Sequence, residues 1–388
     1  GHHADIGGTA PGSMSPLART IQEEGVYIDN FVLVAEGRFR EAELRDLLTQ
    51  GPYPARNPTQ NVNDLKAQIA ANRKGAAELA RMVAHFGLPT VEAYMGHVQD
   101  NAAESVARVI ANLADGRFTV ELDQGSRIEV AITIDRAART ATVDFTGTAP
   151  QRDDNFNAPS PVTRAAVLYC FRVLVESKIP MNAGCLRPVR IVVPEGTLLS
   201  PRFPAAVVAG NVEVSQAVTN ALFGALGRLA AAQGTMNNLT FGDETYQYYE
   251  TICSGAPAGP GFDGADAVHT HMTNSRLTDP EILELRYPVL LEDFHIRRGS
   301  GGRGRWHAGD GTSRRLRFLK AMDCAVLSGS RRVPPFGLEG GSPGECGRNS
   351  VRRLDGREEE LPGCAQTRLE AGEAITVVTP TGGGFGQL

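Results

Sequence analysis

His2 and Asp5 stand three positions apart and are followed by Gly7-Gly8. A neutral imidazole nitrogen beside a carboxylate oxygen suits a divalent ion such as Zn, Mn, Fe or Co. The paired glycines let other backbone approach closely. Two residues do not complete a site, so the string reads as half of one. Glu23-Glu24-Gly25 lies where a loop could return a third ligand, although an acidic pair is more often solvated on a helix or turn. A second polar string runs Val268-His269-Thr270-His271-Met272-Thr273-Asn274 and on to Thr278-Asp279-Pro280-Glu281. On a strand, His269 and His271 would point to one face and could share a metal or polarise a carbonyl. The alternative is a hydrogen-bonded polar core with Asp279-Pro280 starting a helix. Upstream, Tyr248-Tyr249-Glu250-Thr251 adds phenols and a carboxylate.

Other chemistries find little support. The six cysteines (Cys170, Cys185, Cys253, Cys324, Cys346 and Cys364) are scattered without a CxxC pair, which argues against a zinc ribbon or disulfide framework. No Gly-x-Ser-x-Gly elbow occurs, so any hydrolysis would use activated water rather than a side-chain nucleophile. The glycine-rich strings at 299–304, 337–347 and 381–386 lack the spacing and lysine of a P-loop and read as tight β-turns. Lys+Arg 39 against Asp+Glu 44 gives a net charge of -5, which offers nothing to nucleic acid or an anionic membrane. No apolar run approaches the roughly 20 residues of a membrane helix, and a cytoplasmic globular protein is the plain reading.

These residues must be held by elements of both kinds. Apolar positions Leu65, Ile69, Ala76, Leu79, Val83 and Phe86 make one helical stripe. Val91, Tyr94, Val98, Ala102, Val106, Val109 and Leu113 make a second, capped by Thr90. Only Gly87-Leu88-Pro89 separates them, so the pair reads as an antiparallel hairpin. His85 and His97 lie on it without a chelating neighbour and read as surface or interhelix residues. The period then alternates through Phe118–Leu122, Ile128–Ile134 and Ala141–Phe145, a three-strand meander. Helices over 162–175 and 214–231, a strand over 189–193, and short strands from 288 onward complete an α+β chain of 388 residues. The expected divisions are a metal-motif and loop segment (1–60), a helical hairpin (61–116), a mixed α+β core (117–286) and a β-rich, glycine-rich C-terminal region (287–388).

The strings GHHADIGGTAPGSM, VDFTGTAP, NFNAPSP, GNVEVSQ, QGTMNN, YYET, HTHMTNSRLTDPE, RRGSGGRGRWHAGDG and TPTGGGFG occur in one order along essentially the whole chain. In that order they resemble the hydantoinase B/oxoprolinase family, and most closely the B-type, C-terminal part of its oxoprolinase branch. The resemblance implies a hydrolase that opens cyclic amides, here 5-oxo-L-proline to L-glutamate. A hydantoinase A-like ATPase domain or subunit would spend ATP and Mg to phosphorylate the lactam, and the B-type part would admit water. It also implies a divalent metal held by His2 and Asp5, and a homo-oligomeric complete enzyme. The family's upstream Asn-Asp-Pro segment is missing, so this chain is expected to be truncated, inactive alone, and to hold His2 and Asp5 loosely. Glu250 and His271 are the candidate general bases, chosen for their clustering in sequence. The rival readings are a hydantoinase, another lactam-opening or acetone carboxylase-like subunit, and a non-catalytic scaffold for the ATPase domain.

Overall fold

The computed structural model of the protein describes residues 5–388. A glycine-rich loop leads into a short helix α1 (Ile21–Glu24), a two-residue ribbon of β1 (Val34–Ala35) with β2 (Arg38–Phe39), and helix α2 (Glu41–Thr49). Two long helices follow, α3 (Pro58–Phe86) and α4 (Leu88–Ile110). Asn57 caps α3 by accepting from the Gln60 amide, and Gly87 alone separates the two helices at φ +81. Thr90 therefore lies inside α4 and does not cap it. Leu88 and Pro89 join the first turn, where a proline sacrifices no hydrogen bond. The bases of this pair are packed, and at the far end Val91 is buried. Val62 joins Leu44 and Leu48, and Ala102, Val106 and Ile110 enter the main core. Farther out, Leu79, Met82, Phe86, Leu88, Tyr94, Met95 and Val98 are exposed.

The alternating segment forms β3 (Gly116–Glu121), β4 (Arg127–Asp135) and β5 (Thr140–Asp144), antiparallel as the periodicity predicts. Helix α5 (Ser160–Val173) crosses over, and β6 (Val189–Val192) then joins β5 in parallel. An irregular wide turn at Gly210–Val214 runs into α6 (Ser215–Leu226), whose residues are buried on every side as far as Ala225. The helix expected to reach 231 stops at Leu226 because Gly227, at φ +61, takes the left-handed conformation that ends helices. Helices α4, α5 and α6 pack on the inner faces of β4 and β5 in one apolar core.

The remaining strands build two sheets. One has the order β14-β11-β7-β8, the other β13-β12-β15-β10-β9. Their ranges are β7 (Asn238–Gly242), β8 (Gln247–Thr251), β9 (Val289–Ile296), β10 (Thr312–Phe318), β11 (Met322–Leu327), β12 (Arg348–Arg352), β13 (Glu358–Leu361), β14 (Cys364–Leu369) and β15 (Ala374–Val378). Helix α7 (Pro280–Arg286) precedes β9 and is capped by Asp279. Leu239, Phe241 and Val326 of the first sheet share an apolar cluster with Leu316, Ile375 and Val377 of the second. The pairing of β7 with β11 ties residues 238–242 to 323–327, across the division expected at 286/287. Among the described residues, no helix is long and apolar enough to cross a membrane.

Candidate functional site

His2 and His3 lie outside the described residues. Asp5 is buried, and four donors hold its carboxylate. Oδ1 accepts from the amides of Gly7 (2.9 Å) and Arg56 (3.2 Å). Oδ2 accepts from the Gly12 amide (2.8 Å) and from Arg56 Nη1 (2.9 Å). Asn61 Nδ2 donates to the Asp5 carbonyl at 3.0 Å. Asp5 is thus fixed rather than loose, and Gly7 (φ +94) and Gly12 (φ +80) shape the loop that folds its amides inward. The Arg56 guanidinium stands at Asp5 Oδ2, so an ion taking that oxygen would have to displace it. Among the described residues, no three His, Cys, Asp or Glu side chains are grouped to hold an ion.

Glu23 and Glu24 do return to this loop, but through their backbone. The Thr9 amide donates to the Glu23 carbonyl at 2.9 Å. The Glu24 carboxylate faces the other way, accepting from the Val207 and Val208 amides at 2.7–3.0 Å. Burial pushes Glu24 up to about 7. Its role in the fold is to tie the N-terminal loop to the segment that enters α6.

Glu250, on β8, sits in the sandwich. Arg314 Nε and Nη2 grip its two oxygens at 2.8 and 3.0 Å, and Tyr248 OH donates to Oε2 at 2.9 Å. Both partners of the ion pair have side chains almost wholly out of solvent. Tyr249, one residue on, points to the opposite face, where its hydroxyl donates to Asn238 Oδ1 at 2.8 Å.

His271 lies elsewhere, against α5 and α6. Residues 269–274 form no strand; Val268 makes one isolated bridge with Ser254, and His271 takes φ +56. Positive φ is uncommon for a residue with a Cβ, and it breaks the one-face relation that strand geometry would give His269 and His271. The His271 ring packs 5.4 Å from Phe223, and its Nδ1 lies 3.2 Å from Tyr169 OH. Burial lowers its pKa to about 4, so the ring is neutral near pH 7. Its Nε2 is enclosed without a partner, as are both ring nitrogens of His269, Thr270 Oγ1 and Gln216 Oε1. Gln216 Nε2 donates to the Thr270 carbonyl at 3.1 Å, which links α6 to the segment. Buried polar atoms left unpaired cost about 1–3 kcal/mol each, so this run is the candidate site for a polar partner. Glu250 and His271 make no hydrogen bond or ion pair with each other.

One acidic residue escaped the sequence reading. Glu213 is the lone charge in the run 205–226, a signal legible without a structure. It is buried beside α6, where Oε1 accepts from Thr235 Oγ1 (2.9 Å), the Met236 amide (3.1 Å) and Asn238 Nδ2 (2.8 Å). Asn238 joins it to Tyr249.

Comparison with known proteins places this arrangement in context. The family model described as hydantoinase B/oxoprolinase matches residues 1–388. The chain is 44% identical, over its whole length, to a 5-oxoprolinase of Dictyostelium discoideum, covering 31% of that protein. It is 45% identical to 5-oxoprolinase 1 of Arabidopsis thaliana, covering 32%. A putative D-/L-hydantoinase subunit of a Pseudomonas species is 31% identical, with 69% of its length covered. The chain therefore spans about a third of the curated 5-oxoprolinases it matches. Among solved structures, the ATP-dependent caprolactamase of Pseudomonas jessenii superposes on the whole chain with a TM-score of 0.85 at 26% identity, and 71% of that chain is covered. Nucleotide-free acetone carboxylase superposes with a TM-score of 0.86 at 17% identity, with 60% of its chain covered; that likeness is of fold.

Proposed function

Because the chain belongs to the hydantoinase B/oxoprolinase family, we propose that it is the B-type portion of a 5-oxoprolinase. In that reading it carries out the hydrolytic step in the ATP-dependent opening of 5-oxo-L-proline to L-glutamate. The observation that carries this is identity of 44–45% along the whole chain to proteins named 5-oxoprolinase, of which it spans a third. Identity to the hydantoinase subunit is lower, at 31%. The proposed partner is an A-type ATPase domain or subunit that consumes ATP, and the proposed setting is the cytoplasm.

The chemistry divides naturally between two such parts. An unactivated lactam is a poor electrophile with a poor leaving group. Phosphorylating its oxygen yields a species whose attack by water needs mainly positioning and a base. His271 suits that base in the tautomer where Nδ1–H donates to the Tyr169 oxygen, leaving the Nε2 lone pair free. Burial, which lowers its pKa to about 4, makes it a weak base, so its use depends on prior activation of the amide. Glu250 is the second candidate. Its lone pairs are engaged by Arg314 and Tyr248, so base action there requires that grip to loosen. His2 and Asp5 remain the proposed ligands of a divalent metal in the complete enzyme, and no step here depends on one.

The test is to assay glutamate formation by the chain alone and with its A-type partner, with ATP and with or without added divalent metal. Turnover only with partner and ATP is the expected result. Turnover of hydantoin but not 5-oxoproline would replace the reading with the hydantoinase one. Restored ATPase control without glutamate formation would leave a scaffold. In the complete enzyme, His271→Gln is expected to lower glutamate formation about 10²–10⁴-fold with ATPase retained. Unchanged turnover would remove His271 from the mechanism.

A further inference from the structure

The far end of the helical pair is an apolar surface that nothing covers among the described residues. Beyond Val62, α3 runs to Phe86 without a buried residue, and α4 has only Val91 buried before Ala102. Leu79, Met82 and Phe86 share one face of α3, while Tyr94, Met95 and Val98 continue the stripe of Val91 on α4. Each of the six is 42–66% exposed. Val91, close to the turn, is covered while the next turns of its stripe are open, so the arms meet at the turn and stand apart beyond it. Propensity alone does not hold such arms, because most helix stability in proteins comes from a packed apolar face. Gly75 and Gly96, in open space, each cost about 1 kcal/mol relative to Ala. Six large side chains about half exposed leave on the order of 600 Å² of surface. That is the upper end of what a monomer leaves open, and most of the roughly 800 Å² per partner of a standard interface.

The two arms carry opposite charge. Residues 70–86 of α3 hold Arg73, Lys74 and Arg81 against Glu78, a net of +2. Residues 88–100 of α4 hold Glu92 and Asp100 with no Lys or Arg, a net of -2. Among the described residues no ion pair joins the arms: Lys74 and Arg81 both turn to Glu78, and Asp100 turns to Arg187. Two copies related by a two-fold axis lay the basic arm of each against the acidic arm of the other, and a two-fold surface must complement itself in this way. Such a surface needs no partner of different chemistry.

We propose that the outer halves of α3 and α4 are a self-association surface, on which a second copy of this chain lays its own pair to complete an antiparallel four-helix bundle. Leu79, Met82 and Phe86 of one copy pack on Tyr94, Met95 and Val98 of the other. The inference stands apart from the function proposed above and needs neither substrate nor ATPase partner.

The test is sedimentation velocity of the 388-residue chain over a range of concentrations. A monomer–dimer equilibrium with Kd about 10 µM is expected, within reach of an interface of this size. Met82→Glu with Met95→Glu, at exposed positions, should keep the far-ultraviolet helix signal and weaken association at least about tenfold, because each dimer then buries carboxylates in its apolar seam. Two charge variants single out a second copy as the occupant. Arg73→Glu with Arg81→Glu makes both arms acidic, and Glu92→Lys with Ala93→Lys makes both basic. Each alone is expected to stay monomeric at about 30 µM, where most of the parent is paired, and an equal mixture of the two should recover the dimer. A parent monomeric up to about 100 µM, a dimer that the Met82 and Met95 variant leaves intact, or a mixture that stays monomeric would each overturn the proposal. So would a parent that is monomeric alone and uses Met82 and Met95 only to bind the A-type part, which would give this face to that partner instead.

Discussion

At the scale of single residues, two carboxylates that look alike in sequence are held for different ends. Glu250 and Arg314 form a buried pair with side chains 2% and 1% exposed. Removing one partner leaves an uncompensated charge, which costs about 3–5 kcal/mol. Glu250→Gln is expected to lose that much in urea unfolding, and adding Arg314→Met should restore much of it. A single variant as stable as the parent would show that the pair holds nothing. Asp5 makes a comparable test in the N-terminal loop. Asp5→Asn removes the charge facing Arg56 and is expected to cost about 1–3 kcal/mol whether or not a chelator is present. A loss seen only when divalent metal is supplied would instead mean that an ion displaces Arg56. Residue identity was legible in the sequence; partnership was not. Nothing in the spacing of Tyr248, Glu250 and His271 says that Arg314, far along the chain, takes the carboxylate, or that a left-handed His271 turns toward Tyr169.

At the scale of elements, the regular periods read true and the irregular joints did not. Alternation gave the β3–β5 meander, because a half-buried sheet imposes period two. The stripes on α3 and α4 are equally clear, yet their outer parts face solvent. A period says which side chains share a face and is silent on what that face meets. The wide turn at Gly210–Val214 left no such trace, although it aims Glu213. A Cβ on Gly210 would run into the Asn157 carbonyl and the Ala158 backbone. Gly210→Ala is therefore expected to cost about 1–3 kcal/mol by overpacking. Gly75 and Gly96 lie inside α3 and α4 with open space around them. Alanine at either should stabilise by about 0.5–1 kcal/mol. If Gly210→Ala behaved like these two in thermal denaturation, the close contact would not be what shapes the turn.

At the scale of the whole molecule, the α+β class followed from blocks of helix and strand, but the sandwich did not. Its first sheet draws β7 and β8 from the middle of the chain to pair beside β11, and short buried strands carry too little pattern to announce a distant partner. The same assembly buries acids that must then stay protonated, and this gives the fold a pH dependence of definite sign. Glu24 and Glu213 are raised to about 7 and about 8. For each, the folded state keeps a proton that the unfolded chain releases near 4.5, so stability falls as pH rises between those values. His271, lowered to about 4, acts in the opposite sense, losing stability as pH falls below 6.5. Between pH 7 and 8 the imidazole is neutral in both states and Glu24 has passed its midpoint. Near Glu213, Arg331 is lowered only to about 10, and the Tyr249 and Cys364 groups are raised by burial, so none of these titrates in that window. The slope there belongs chiefly to Glu213, at most about 1.4 kcal/mol per pH unit. Urea unfolding at pH 7.0 and 8.0 should show the parent losing about 1 kcal/mol and Glu213→Gln losing much less. Parallel losses in the two proteins would mean that Glu213 is already ionised at pH 7.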